Sequence, residues 1–273
     1  MTTDITSDGA EPNTPPTEET FGEQLGGPKL SDRVAVDLQV RILSGEFEPT
    51  YRLPPEAKLC EAFGVSRSVI RDAIRTLAAR GLVDVQQGRG TTISEPSEAT
   101  LGFAMLTLVM RSAMTMADLF EMRAVVEGDL LPLATQRRTV EDVRRASEQF
   151  YLFKAAVDRI DSAAAHEHHL GFHIELIRAI GLPALTLIMR PLHEIIDLSS
   201  FPPRGDDPSL WEVDVHQSML LALEAGDADA MSSAVDAHFD YLRHAPYQAL
   251  RETRVRDAVN VEALKAAVQR ASL

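Results

Sequence analysis

The chain has little cysteine and few aromatic side chains. Its one cysteine among 273 residues, Cys60, excludes an intrachain disulfide and fits a reducing compartment. Aromatic residues make up 5% of the chain and hydrophobic residues 45%, so aliphatic side chains must build the core, as is common in helical proteins. We expect Cys60 to act as a small buried hydrophobe.

The sequence also lacks a membrane span and a secretory signal. Its most apolar run, Leu101–Met110, is too short to cross a bilayer and is followed by Arg111. The N-terminus is acidic and rich in Pro and Thr, which is the opposite of a signal peptide. These features predict a soluble, cytoplasmic protein with no membrane partner.

Positive charge is scarce overall, since the formal net charge is −14, but it is unevenly distributed. Residues 1–28 carry six acids and no Lys or Arg, and their low hydrophobicity predicts a disordered tail. Residues 29–95 carry ten basic and nine acidic side chains. Because phosphate binding depends on the local field, an acidic chain can still bind DNA through this segment.

Residues 53–93, LPPEAKLCEAFGVSRSVIRDAIRTLAARGLVDVQQGRGTTI, have the outline of a winged helix-turn-helix. A short helix ends at the corner Phe63-Gly64, Ser66 is placed to cap a basic helix, and two β-rich pieces flank Gly88-Arg89-Gly90. A helix with Ser31 as its cap precedes them. A generic small helical subdomain is the alternative, but it needs all these signals to coincide by accident.

The basic helix carries the DNA-reading chemistry. Arg67, Arg71 and Arg75 recur every four residues and so share one face. The first turn of a recognition helix enters the groove most deeply, and the arginine fork suits both guanine edges and phosphate. The alternative without DNA binding is a solvated basic face that pairs with Asp72 and neighbouring residues. The predicted contacts from this helix are Ser66, Arg67, Ser68, Arg71 and Arg75.

These residues closely resemble the winged-helix domain of the GntR family of bacterial transcription regulators, through LPPEAKL, FGVSRSVIRDAIRTLAARGLV and GRGT. The resemblance implies a DNA-binding domain at 29–96, with its helix-turn-helix over about Glu56–Arg75. It also implies that the wing tip enters the minor groove through Gln87, Gly88 and Arg89. Where the family often has a DNA-contacting arginine, this chain has Ala57. The neighbouring Lys58 points elsewhere on the helix but is retained in the predicted DNA-binding set.

After Pro96 every pattern is helical, and short connections between amphipathic helices predict an antiparallel bundle. The predicted helices lie at about 99–113, 116–137, 139–158, 162–180, 184–200, 208–225, 227–244 and 247–270. Three segments resemble the all-helical FCD ligand-binding domain of the FadR subfamily: LFEMRAVVEGDLLPLAT, HLGFHIELIRAIG and EVDVHQSMLLALEAGDADAM with AHFDYL. The predicted fold is therefore mostly α, with a winged helix, an FCD-like bundle at 97–246 and a helical extension at 247–273.

All eight histidines lie in this second part. His169 and His173 are one helical turn apart and differ by about 40° in projection, so they can converge on one ion. The resemblance to FCD domains implies a divalent metal held by these two together with His216 and His238, with His169 in place of an aspartate. Four imidazoles favour zinc or nickel. Three alternatives stay open: the metal binds more weakly, the histidines line a site without metal, or His166 replaces one of the four ligands. We expect His168, His193 and His244 to be surface or packing residues.

Arg123 and Glu127 share a helix face and match an Arg…Glu pair of FCD domains. The resemblance implies that Arg123 meets a ligand carboxylate, and a metal beside a cation would suit a small organic acid. The alternative is an i, i+4 salt bridge with no ligand.

The sequence thus predicts a homodimeric transcription regulator, a repressor that binds a palindromic double-stranded operator and senses a small carboxylate at a metal site. The first alternative is a regulator for which the metal itself is the signal. The second is a metal-dependent enzyme with an appended DNA-binding domain, although four histidines would close a tetrahedral ion. No general base stands beside the histidines in an obvious motif, so we expect no enzymatic activity.

Overall fold

The computed structural model describes residues 29–86, 88–95, 98–199, 211–243 and 247–271. The chain divides into two compact units, one that ends at Glu95 and one that begins at Pro96. Each unit has its own hydrophobic core. The predicted disordered tail at 1–28 lies outside the described residues, as do Gln87 and His244.

Within its described residues, the first unit contains three helices and a two-stranded wing. Its elements are α1 (Leu30–Leu43), α2 (Glu56–Phe63), α3 (Arg67–Ala79), β1 (Val83–Gln86) and β2 (Gly90–Ile93). The strands are antiparallel, and Val83 pairs with Ile93 at the end that enters the core. Leu38, Ile70 and Leu77 are fully buried between the helices. This core fixes which face of α3 stays in solvent.

The helix-turn-helix corner is set by Gly64, which ends α2 at φ 64°, a left-handed conformation that glycine adopts at little cost. Ser66 takes the N-cap position of α3 but makes no cap hydrogen bond, so that part of the prediction is wrong. Its hydroxyl lies 2.9 Å from the Ser68 hydroxyl instead. The predicted cap of α1 is also wrong, because Lys29 precedes the helix and Ser31 lies inside it. Cys60 is half-buried against the core rather than fully buried.

The second unit is helical throughout its described residues. Its helices are α4 (Glu98–Arg111), α5 (Met116–Arg137), α6 (Val140–Asp158), α7 (Ser162–Ala179), α8 (Pro183–Asp197), α9 (Val213–Ala225), α10 (Ala228–His238), a 3₁₀ helix (Asp240–Arg243), α11 (Tyr247–Glu252), α12 (Val255–Ala258) and α13 (Val261–Ala271). Thr115 and Thr139 begin α5 and α6 with reciprocal capping boxes. The mostly α fold predicted from the sequence is confirmed.

The segment after residue 247 differs from the single predicted helix. It is divided into α11, α12 and α13, and Val255 and Leu250 are buried in the core of the second unit. Its backbone bonds to other segments at the breaks: Val255 N–H donates to the Met114 carbonyl at 3.0 Å, and Asn260 N–H to that of Leu198 at 2.9 Å. A continuous helix would use those groups internally, so these pairings account for the breaks.

Two neighbouring helices are also shorter than predicted. The helix expected at 208–225 begins at Val213, and residues 208–210 lie outside the described part of the chain. The helix expected at 227–244 ends at His238 and continues as the 3₁₀ helix. Among the described residues, no helix combines the length and hydropathy that a bilayer crossing needs.

Candidate functional site

The first candidate site is the exposed side of α3. Ser66, Arg67 and Ser68 begin this helix, and all three are exposed. The opposite side is anchored by Ile70 and Ala73, neither of which is accessible to solvent. The hydrophobic pattern therefore fixes the rotation of α3 and leaves its polar first turn available to a groove.

Two arginines farther along α3 are held by carboxylates. The Arg71 Nε atom donates to Glu56 of α2 at 3.0 Å, and the Arg75 Nη1 atom donates to Asp72 at 3.1 Å. Both pairs are exposed, and exposed ion pairs contribute roughly 0–1 kcal/mol. Exchange of either carboxylate for a DNA phosphate therefore costs little. Lys58 is also exposed, one position after Ala57 on α2.

The wing tip is shaped by glycines at its turn. Gly88 and Gly90 have φ of 76° and 92°, which a residue with a Cβ adopts only with strain. Between them, the Arg89 carbonyl accepts a hydrogen bond from the Arg52 guanidinium, and the Arg89 side chain is exposed. The turn thus presents a cationic side chain at its end.

The second candidate site is a buried histidine cluster in the helical unit. His169 and His173 come from α7, His216 from α9 and His238 from α10, and none is more than 5% exposed. The four residues each offer a ring nitrogen, and these atoms lie within 4.8 Å of one another. His169 Nε2 is 3.0 Å from His216 Nε2, which is 3.2 Å from His173 Nε2. The four sequence-predicted ligands are therefore brought together.

The outer nitrogens of two cluster rings face oxygen acceptors. His216 Nδ1 lies 2.8 Å from the Glu212 carbonyl, and His173 Nδ1 lies 3.1 Å from a Glu127 carboxylate oxygen. Each ring then carries its proton on Nδ1 and directs the Nε2 lone pair inward. Burial, followed by the nearby Arg123 charge, holds the pKa of His173 well below its usual range, so the ring is neutral at pH 7. Neutral imidazole is the form that binds metals.

The geometry of the inward nitrogens fits a metal ion. Two lone pairs that meet at about 3 Å without a proton between them repel each other, and a cation removes that repulsion. Ligands at 2.0–2.1 Å from a tetrahedral zinc ion lie roughly 3.3 Å apart, close to the two spacings in the cluster. The fourth ring of the cluster, His238, contacts charged groups as well. Its Nε2 atom lies 3.4 Å from Arg123 Nη2, and its Nδ1 atom lies 3.5 Å from a Glu212 carboxylate oxygen.

Arg123 lies at the edge of this cluster, and its side chain is 4% exposed. Its Nε atom donates to Glu127 at 2.5 Å, so the i, i+4 salt bridge exists. Phe239 covers the guanidinium, which lies 5.4 Å from the centre of the ring. Its Nη2 atom lies 3.4 Å from His238 Nε2, so the guanidinium contacts the histidine cluster.

His193 of α8 belongs to this site, although the sequence predicted a surface or packing residue. It is 4% exposed, and its Nε2 atom lies 2.8 Å from a Glu127 carboxylate oxygen. The sequence does indicate that His193 is buried, because Met189, His193 and Ile196 repeat at helical spacing on the apolar side of α8. His166 lies outside the four-histidine group, with Nδ1 at 3.1 Å from the Ser162 carbonyl and its ring against Trp211. His168 bonds to Gln149.

Comparisons with known proteins agree with both units. Residues 30–93 match the family described as bacterial regulatory proteins, gntR family, and residues 118–241 match the FCD domain. An HTH-type transcriptional regulator of Mycobacterium tuberculosis is 28% identical over 78% of this chain and 87% of its own. The galactonate operon transcriptional repressor of Escherichia coli is 24% identical over 75% of this chain and 91% of its own.

A solved structure of a GntR protein of Streptococcus agalactiae is 28% identical, covers 78% of this chain and 98% of its own, and superposes with a TM-score of 0.59. The family and these relatives are transcription regulators rather than enzymes. The resemblance seen in the sequence is therefore confirmed. The chain belongs to the GntR family of DNA-binding transcription regulators and carries an FCD domain as its second unit.

Proposed function

We propose that this regulator senses a small organic acid at a divalent metal ion in its helical unit. The observation that carries the proposal is the convergence of three imidazole Nε2 atoms at 3.0 and 3.2 Å in a buried site, with a fourth histidine beside them. His169, His173, His216 and His238 would hold the ion, and nitrogen ligands favour zinc or nickel. The metal would supply positive charge and, by taking a fifth ligand beyond the four histidines, a coordination position for a carboxylate.

Charge at the site supports an anionic effector. Four neutral imidazoles leave the double charge of the ion uncompensated, and Glu127 already pairs with Arg123. A buried charge without compensation is costly, so a carboxylate that reaches both the metal and the Arg123 guanidinium would be favoured. A related protein is named for repression of a galactonate operon, and galactonate is an organic acid.

We propose that DNA is read by a homodimer on a palindromic operator in the cytoplasm. One winged helix makes a small contact, and two copies related by a two-fold axis match paired half-sites. The proposed contacts are Lys58, Ser66, Arg67, Ser68, Arg71, Arg75, Gln87, Gly88 and Arg89. The named repression by a relative supports repression here, with release when the effector binds. The effector acts only through different affinities for the DNA-binding and released forms.

Direct metal sensing is the second candidate. It is favoured by the histidine count, because four histidine ligands complete a tetrahedral ion and leave no position for an organic acid. Metal binding alone would then change operator affinity.

A thermal-shift screen against small carboxylic acids, with and without chelator, separates these proposals. A ligand at 100 times its dissociation constant stabilises by about 2.7 kcal/mol. An acid that raises the Tm of zinc-loaded protein and loses its effect on chelation supports the acid sensor. If zinc raises the Tm and alters operator binding while no acid has an effect, the direct metal sensor is supported. If zinc and nickel change neither quantity, both metal proposals are wrong.

A further inference from the structure

We propose that Glu127 and His193 position the metal-binding histidines and do not form a metal site of their own. This inference rests on the proposed metal site. Glu127, His173 and His193 form a second group of buried residues whose ligand atoms lie close enough to hold an ion. The contacts around Glu127 decide between the two roles.

The Glu127 carboxylate is fully buried and is shared by three partners. One oxygen is 2.5 Å from Arg123 Nε and 2.8 Å from His193 Nε2, and the other is 3.1 Å from His173 Nδ1. Because one oxygen is paired with the Arg123 guanidinium and the other lies 3.1 Å from His173 Nδ1, the carboxylate accepts from His173 Nδ1–H and leaves His173 Nε2 for the four-histidine cluster.

The same contacts argue against an ion at Glu127. The oxygen that would bind the ion is already in contact with a guanidinium, and a divalent cation there would lie against that positive charge. His193 adds no independent metal ligand. Its Nδ1 atom donates to the Met189 carbonyl at 2.7 Å, and its Nε2 atom lies 2.8 Å from the same Glu127 oxygen that Arg123 contacts. A metal ion at Nε2 would therefore have to displace the Arg123–Glu127 ion pair.

His193 extends this arrangement to a helix without cluster histidines. Its Nδ1 bond fixes the ring to the α8 backbone, and its Nε2 bond joins α8 to Glu127 on α5. His173 then joins α5 to α7 through the same carboxylate. Orienting carboxylates of this kind commonly affect metal affinity by 10- to 100-fold when they are removed. The contacts of Glu127 thus connect α5, α7 and α8 around His173.

Zinc stoichiometry and histidine tautomers test the proposal on the full-length protein. We expect the wild type to bind one zinc ion per chain and His216→Ala to bind none. Histidine ¹⁵N NMR of chelated wild type should show His173 protonated on Nδ1. Glu127→Gln should shift His173 toward a mixture of tautomers and weaken zinc binding 10- to 100-fold. His193→Gln should keep one ion and the wild-type His173 tautomer but bind zinc more weakly than the wild type, because the ring no longer holds α8 to Glu127. The control His168→Gln should match the wild type.

Two results would overturn the positioning role while leaving the proposed metal site intact. One is wild-type zinc affinity and tautomer in Glu127→Gln. The other is a second zinc ion that survives His216→Ala and is lost in His193→Gln. A wild type that binds no zinc overturns both proposals. If Glu127→Gln fails to fold, Arg123→Met/Glu127→Gln removes the ion pair as a unit, and the same loss of affinity and tautomer mixture are expected in it.

Discussion

His169 and His216 meet through their Nε2 atoms at 3.0 Å, although 47 residues separate them in the chain. The contact joins α7 to α9 inside a site that is closed to water. Because His216 Nδ1 faces the Glu212 carbonyl, its inward nitrogen carries a lone pair rather than a proton. His169 can donate to that lone pair when its proton is on Nε2, but His173 cannot, because its proton faces Glu127 from Nδ1. A metal ion between the rings would satisfy both contacts at once.

His216→Ala should abolish the stabilisation of the protein by zinc. In the wild type, zinc at 100 times its dissociation constant should add about 2.7 kcal/mol to the free energy of unfolding, because the ion binds only the folded site. The variant has lost the ring that faces both His169 and His173. Differential scanning calorimetry with and without chelator measures the effect. His168→Ala, a change outside the cluster, should retain it, and an equal response of His216→Ala to zinc would refute the site.

Arg67→Ala should weaken specific operator binding by roughly 1–3 kcal/mol, the range for a lost base contact. Arg67 begins α3 and is exposed, so its removal leaves the core unchanged. Fluorescence anisotropy on an operator selected from random DNA by the wild type gives the affinity. Arg144→Ala is the control, because Arg144 is an exposed arginine of the helical unit. Equal operator affinity of Arg67→Ala and the wild type would show that α3 does not read the bases through this residue.

The DNA-binding unit could be predicted in detail because its signals are local. The corner glycine, the basic helix and the Gly-Arg-Gly turn all lie between Gly64 and Gly90, and each has its own backbone or packing reason. The wrong prediction in this unit, the Ser66 cap, also has a local cause. Ser66 does not cap α3 because its hydroxyl lies against that of Ser68, a competition between two neighbouring side chains that spacing does not resolve.

The helical site was harder to predict because its contacts are long-range. His169 and His173 could be paired from one helix, but the contact between Glu127 and His193 spans 66 residues and depends on how α5 meets α8. Periodicity shows that His193 faces inward, but it does not identify the partner. The breaks in the C-terminal segment have the same origin, since the Met114 and Leu198 carbonyls come from distant parts of the chain.

Removal of Arg123 alone should destabilise the protein much more than removal of the Arg123–Glu127 pair. Arg123→Met leaves a fully buried carboxylate without its closest cation, which costs about 3–5 kcal/mol. Arg123→Met/Glu127→Gln should recover most of that loss, since no buried charge of the pair remains. Urea unfolding with chelator gives the values. The exposed pair of Lys154 and Asp158 is the control, and Lys154→Met should cost no more than about 1 kcal/mol. If the double variant instead loses the sum of the stabilities lost by Arg123→Met and by Glu127→Gln alone, the two groups act independently.

Acidification should destabilise the chelated protein through His173. Its folded pKa lies well below the usual range because of burial and Arg123. Below about pH 6.5 an unfolded chain binds a proton at this histidine, whereas the folded protein binds one only at a much lower pH. The free energy of unfolding is therefore highest above about pH 7 and falls with acidification by up to about 1.4 kcal/mol per pH unit. Measurements between pH 7 and 5.5 stay above the range in which Glu127 titrates.

His173→Gln should reduce that slope, because the variant has no proton to gain at this position while its amide can still donate to Glu127. His168→Gln is the control, because its ring lies outside the buried cluster and bonds to Gln149. Urea unfolding at four pH values across the interval determines each slope. Equal slopes for the wild type and His173→Gln would mean that the buried ring already carries a proton in the folded protein. In that case a shared proton, rather than a metal, would account for the approach of the three imidazoles.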